Sequence, residues 1–162
     1  RNRPIASIHF ELIDKLIYLP VSVNSSEPSR FILDGGSSVC VVDSSKVEPL
    51  HLTGHGDGII HGAGSGVVKV KYCDSLVYEV AGTSTMVPRS DIINLSNAVP
   101  GQQLDGLLGY DFFFKFVVEI DYKNKTLCLY NPKSYHYAGI GSIIHIGFHK
   151  KIPYFVGRSE VN

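Results

Sequence analysis

The stretch Phe31-Ile32-Leu33-Asp34-Gly35-Gly36-Ser37-Ser38 constrains the fold more than any other part of the chain. Three apolar residues in a row, if extended, need cover on both faces, which asks for a strand inside a domain. The strand does not end in a neutral turn. It delivers a carboxylate into two glycines and two hydroxyls. An acid placed there stands at the shoulder of the core, where backbone donors can fix its orientation. That mounting suits a catalytic acid.

The rest of the composition agrees with a β-rich domain. The 162 residues are 44% hydrophobic and 19% charged, enough for one domain with a real core. Sixteen glycines, eight prolines and little helical periodicity point to an all-β fold with many turns. Lys+Arg and Asp+Glu stand at 15 each, so no net field draws nucleic acid or an anionic membrane. No apolar run is long enough for a membrane span. The opening Arg1-Asn2-Arg3-Pro4 carries no charged-then-apolar leader. We read any signal peptide as already removed, and the expected location is secreted or periplasmic. Cys40, Cys73 and Cys128 are odd in number and lack a Cys-x-x-Cys pair, so buried free thiols are expected.

Along the chain, residues 8–13 and 16–23 read as two strands around Asp14-Lys15. Residues 31–34 and 39–42 are strands on either side of the glycine turn. Ser45 and Glu48 have the spacing of a capping box, which predicts a short helix start. The run HLTGHGDGIIHGAGSG (51–66) followed by an alternating strand over 67–72 predicts a hairpin with a glycine-rich tip. Two further strands, 75–80 and 83–87, flank Ala81-Gly82, and 89–104 reads as a polar loop. Leu107-Leu108-Gly109 leads into a short helix over 110–115. A hairpin over 116–122 and 126–130 follows, with Val118, Ile120 and Tyr122 on one face and Leu127 and Leu129 on another.

The tail over 142–161 echoes residues 7–23: both begin Ser-Ile, alternate apolar residues, cross a basic turn and resume with aromatics and valine. With Val156 set against Val21, a second acidic turn would fall just past Asn162. The expected organisation is one lobe over 1–132, then a linker and the first hairpin of a truncated second lobe over 133–162.

Taken together, these pieces resemble a retropepsin-like aspartic peptidase lobe. The matching parts are the acidic loop 33–38, the glycine-rich hairpin as a flap, and Leu107-Leu108-Gly109 before a helix. The run Asp105-Gly106-Leu107-Leu108-Gly109-Tyr110-Asp111-Phe112 is most similar to bacterial relatives, in which two lobes on one chain are common. The resemblance implies an all-β fold, a small closed barrel with a crossed core and one short helix. It also implies peptide-bond hydrolysis by two aspartates sharing one proton, with Asp34 as this lobe's contribution. Gly35, Gly36 and Ser37 would support the loop, with Ser37 bonding the outer carboxylate oxygen. Gly62, Ala63 and Gly64 would contact an extended peptide from the flap. The second aspartate would come from a homodimer mate or a second lobe, and no metal or organic cofactor is required.

One departure stands out. Where the family has Asp-Thr-Gly or Asp-Ser-Gly, this chain has Asp34-Gly35-Gly36, and Gly35 cannot give the hydroxyl that stiffens the paired loops. An intact acid on a looser mount is expected. The rival reading is a non-catalytic peptide-binding or assembly module; a third is a pseudo-lobe whose partner carries more of the catalysis. Other motifs give weaker readings. His51, His55 and His61 could suggest zinc, but Gly54 and Gly56 oppose the helix that His-x-x-x-His needs. The run 62–66 lacks the Lys-Ser/Thr of a phosphate loop. Asp105 and Asp111 read as turn and helix-start acids, and Phe112-Phe113-Phe114 as core with a part in a lobe interface.

Overall fold

A computed structural model describes residues 3–61 and 66–158. Its strands are β1 (Ala6–His9), β2 (Glu11–Ile13), β3 (Leu16–Val23), β4 (Ser29–Leu33), β5 (Val41–Asp43), β6 (His55–His61) and β7 (Val67–Val80). They continue as β8 (Thr83–Ile93), β9 (Gly106–Leu108), β10 (Val117–Asp121), β11 (Thr126–Tyr130), β12 (Gly147–His149) and β13 (Ile152–Tyr154). One short helix, α1 (Tyr110–Phe113), follows β9.

The main sheet runs β2-β3-β4-β9-β5-β8-β7-β6, and a further pairing of β3 with β7 closes it into a ring. Closure removes most of the open edges that a sheet this rich in short strands would otherwise expose. Inside the ring β9 lies between β4 and β5, parallel to the first and antiparallel to the second. A smaller sheet, β1-β11-β10, packs beside it. This is an all-β closed sheet with one short helix, as the resemblance implies.

Period-two alternation explains the two-sided burial. On β3, Leu19, Val21 and Val23 enter one cluster with Phe31, Val42, Leu108 and Phe112, while Tyr18 turns to a second with Ile32, Val41 and Ile93. Continuous apolar runs are what such doubly covered strands need. Cys40 and Cys73 are buried thiols and Cys128 is half-buried; all three are free. Burial pushes the Cys40 thiol up to about 12, so it stays protonated. Tyr78, also in the core, donates its hydroxyl to Ser90 Oγ at 2.7 Å.

Several local expectations are corrected. No helix starts at the Ser45–Glu48 capping box. Residues Ser44–Lys46 form one 3-10 turn capped by Asp43, whose side chain accepts the Ser45 amide. The region 89–104 is not all loop, because β8 continues through Ile93 to pair in parallel with β5. The strands 67–72 and 75–80 are one: β7 stays in register across Ser75, which takes φ 59 where Pro88, its cross-strand opposite, offers no donor. Val118 and Ile120 face Leu129 and Leu127 directly across the ladder. Directly paired residues share a face, so these four cover one side of the hairpin. The helix also ends earlier, at Phe113.

Candidate active site

The Asp34 loop hangs from the β4–β9 ladder. Phe31, Ile32 and Leu33 pair with Gly106, Leu107 and Leu108, and the Asp34 amide continues the ladder by donating to Leu108 O at 3.0 Å. The half-buried carboxylate then accepts the Gly36 amide on Oδ1 at 2.9 Å, and the Ser37 amide donates to Asp34 O at 3.2 Å. A strand end, an Asx turn and a backbone turn thus fix the acid's direction together.

From behind, Leu107-Leu108-Gly109 locks the loop. The Tyr110 amide donates to Ser37 O at 2.9 Å, and a Cβ added at Gly109 would lie 2.0 Å from Val39 O and 2.8 Å from Ser37 O. At φ −100 and ψ −166 this backbone is open to any residue, so the demand for glycine is steric. Gly106 is equally confined, with Phe31 at 2.1 Å and Val41 O at 2.4 Å from the same hypothetical atom.

The expectation for Ser37 is corrected. Its hydroxyl donates to Val39 O at 2.8 Å and braces the loop backbone instead of the Asp34 carboxylate. Gly35 is exposed and has nothing within 4 Å of an added Cβ, so the position has room for a hydroxyl side chain. Gly62, Ala63 and Gly64, expected at the flap tip, lie outside the described residues. The arms that carry the tip, β6 and β7, pair up to His61 and Val67. At their base the Tyr72 ring lies against Gly56 and Gly58, with the Arg89 guanidinium 4.1 Å from its centre. His55, read above as a zinc candidate, instead contacts Asp74 at 2.9 Å in the same arms.

Asp105 is a structural acid, and the sequence understates its role. It is buried, yet its carboxylate takes the Arg30 amide at 2.8 Å, Lys46 Nζ at 3.0 Å and Gln103 Nε2 at 3.2 Å. Burial acts to raise its pKa, but the Arg30 amide, the Lys46 ammonium and Gln103 outweigh it and the net shift is downward. Asp105 N and O also bond Arg30 O and Asp43 N, so one residue ties β4, β5 and β9 beneath the site. The signal available in sequence was its place directly before Gly106, in step with Arg30 before Phe31. Because the folded pKa is depressed, this contribution is present above the unfolded value, near 4, and fades as pH falls through the folded one. Asp105→Ala should cost about 3 kcal/mol at neutral pH, and the variant's denaturant-unfolding stability should change less than wild type's on acidification from pH 5 to about pH 3.

A cavity of about 640 Å³ opens beside the loop, walled by Leu33, Gly35, Tyr110, Phe113, Phe114, Val118 and Ile120 and roofed by Ile146, Phe148 and Pro153 of the tail. Of the three phenylalanines, Phe112 is core, Phe113 lies at the cavity wall and Phe114 is 70% exposed.

The family model described as aspartyl protease matches residues 19–112, which contain the acidic loop, the strands β6 and β7 and the Leu-Leu-Gly element. Among solved structures, a retropepsin-like aspartic protease from Rickettsia conorii matches with a TM-score of 0.51 at 17% identity, over 76% of this chain and 90% of that one. The retroviral protease-like domain of Ddi1 from Leishmania major matches at a TM-score of 0.49 and 16% identity, over 74% of this chain and 96% of that one. A comparison with curated proteins returned no match. With more than half its length under the family model, the chain belongs to the aspartyl protease family, and its fold is retropepsin-like.

Proposed function

We propose that this domain is one catalytic half of an aspartic endopeptidase, with Asp34 as its acid and a second carboxylate supplied by a partner lobe. The observation that carries the reading is the mount of Asp34: a half-buried carboxylate at the end of a core strand, oriented by the Gly36 amide and locked from behind by Gly109. Two such acids brought close cannot both ionise and so hold one proton between them. The ionised one takes a proton from water as the water oxygen attacks the scissile carbonyl carbon; the protonated one donates to the carbonyl oxygen. The tetrahedral intermediate then collapses, and the proton returned to the amide nitrogen lets the amine leave. The flap arms would lay an extended peptide along the site by main-chain pairing and exclude water over it.

A non-catalytic peptide-binding module is the second reading. Among the described residues, the hydroxyl of Ser37 donates to Val39 O, and Gly35 has none to offer. If the missing hydroxyl is the defect, Gly35→Thr should raise kcat by about 3- to 10-fold, one hydrogen bond's worth. Unchanged kcat would count against that account. The reading as a whole is tested by incubating the paired protein with unfolded peptides at mildly acidic pH. Cleavage that a statine-type analogue of the tetrahedral intermediate blocks supports it. Peptide binding without cleavage supports the module.

A further inference from the structure

Resting on that reading, we propose that Asp91 sets the substrate class: it takes a lysine or arginine side chain of the peptide held over the Asp34 face. The ladders place it there. Tyr18, Ile32, Leu107, Val41, Asp91 and Tyr72 stand opposite one another in turn across β3, β4, β9, β5, β8 and β7. Residues paired in this way share a face, and the other five of the row belong to the second apolar cluster or pack against it. Asp34 stands two residues past Ile32 with its amide continuing the same ladder, so alternation puts it on that face too. Ile60 and Val68 of the flap arms also pack against this cluster. A peptide lying between the arms and the Asp34 loop would therefore run over the row that holds Asp91. From β4 to β8 is three strand spacings, about 14 Å, which an extended peptide covers in about four residues.

The state of its carboxylate points to the ligand. Asp43, Asp91 and Asp105 are the buried acids among the described residues, and two of them are satisfied. Asp43 accepts the Ser45 amide at 2.9 Å and the Leu95 amide at 2.6 Å, and Asp105 is held by the Arg30 amide, Lys46 and Gln103. Asp91 is 7% exposed, and among the described residues none donates a hydrogen bond to its carboxylate. Arg89, two residues earlier, offsets only part of the burial, so the pKa of Asp91 is raised where that of Asp105 is lowered. The Arg89 guanidinium lies over the Tyr72 ring, 4.1 Å from its centre. Tyr72 is half-buried and Arg89 exposed, so the row opens to solvent beside Asp91. Buried carboxylates are normally paired, and one left short of a partner favours a cation brought from outside. A lysine or arginine side chain fits both halves of the place: its stem lies along Val41 and Tyr72, and its charge meets Asp91.

The test reads binding and requires no cleavage. Peptides of about ten residues carry, at each position in turn, lysine or norleucine, its isostere without the ammonium. They are titrated by fluorescence anisotropy into the complete paired protein bearing Asp34→Asn, at about pH 7. At one position lysine should bind about 10-fold tighter than norleucine, as one charge-assisted hydrogen bond allows. Adding Asp91→Asn, or Asp91→Ala as a second variant, should bring that ratio below about 2-fold. Neither change removes a hydrogen bond to the carboxylate, so the melting temperature should hold. No position with a lysine preference, absence of binding included, overturns the proposal, and so does a preference that survives both Asp91 variants. Failure of the wild-type protein to cleave would fault the catalytic reading alone, because this readout is taken on the Asp34→Asn protein.

Discussion

Gly109→Ala is expected to cost at least about 3 kcal/mol and to leave little folded protein at 37 °C. The added methyl would stand 2.0 Å from Val39 O, 2.6 Å from the carbon of the same carbonyl and 2.8 Å from Ser37 O. All three atoms are backbone, so no rotamer change relieves them. The Ser37 carbonyl is held by the Tyr110 amide, and the Phe112 and Phe113 amides converge on Gly109 O, so a shift of either segment breaks bonds on both sides. Gly35→Ala is the matched control. Its Cβ meets nothing within 4 Å, and the change should be within about 0.5 kcal/mol of wild type. Thermal unfolding of the two variants side by side checks the pair. Similar melting temperatures would show that the Leu-Leu-Gly element is not the lock described here.

The sequence carried the strand skeleton because apolar alternation and turn chemistry are local. The two-residue turns at Asp14-Lys15 and Ala81-Gly82 sit where residue type puts them, with positive φ at each position. Asp34 was legible for the same reason: an apolar strand running into an acid and two glycines is a contiguous signal. What sequence missed was set by partners distant in the chain. The extension of β8 to Ile93 depends on β5, some 50 residues earlier, whose Val41 pairs with Asp91. Ser37, which the resemblance casts as a donor to the carboxylate, gives its hydroxyl to Val39 O once the chain folds. Asp105 looked like a turn residue because its Arg30, Lys46 and Asp43 contacts lie 59 to 75 positions away.

Asp34→Asn should lower kcat by at least about 1,000-fold with KM nearly unchanged. Asparagine keeps the shape and can still accept the Gly36 amide, so the loop has no reason to move. It cannot hold the shared proton or take one from water, and both steps of the acid–base cycle fail together. Stability should stay within about 0.5 kcal/mol, which separates lost chemistry from lost fold. The most direct measurement is therefore the rate of cleavage of an unfolded peptide by the complete paired protein, wild type against Asp34→Asn, with melting temperatures recorded on the same preparations. The account predicts that cleavage disappears while the melting temperature holds. Cleavage at the wild-type rate from a folded Asp34→Asn protein would contradict it.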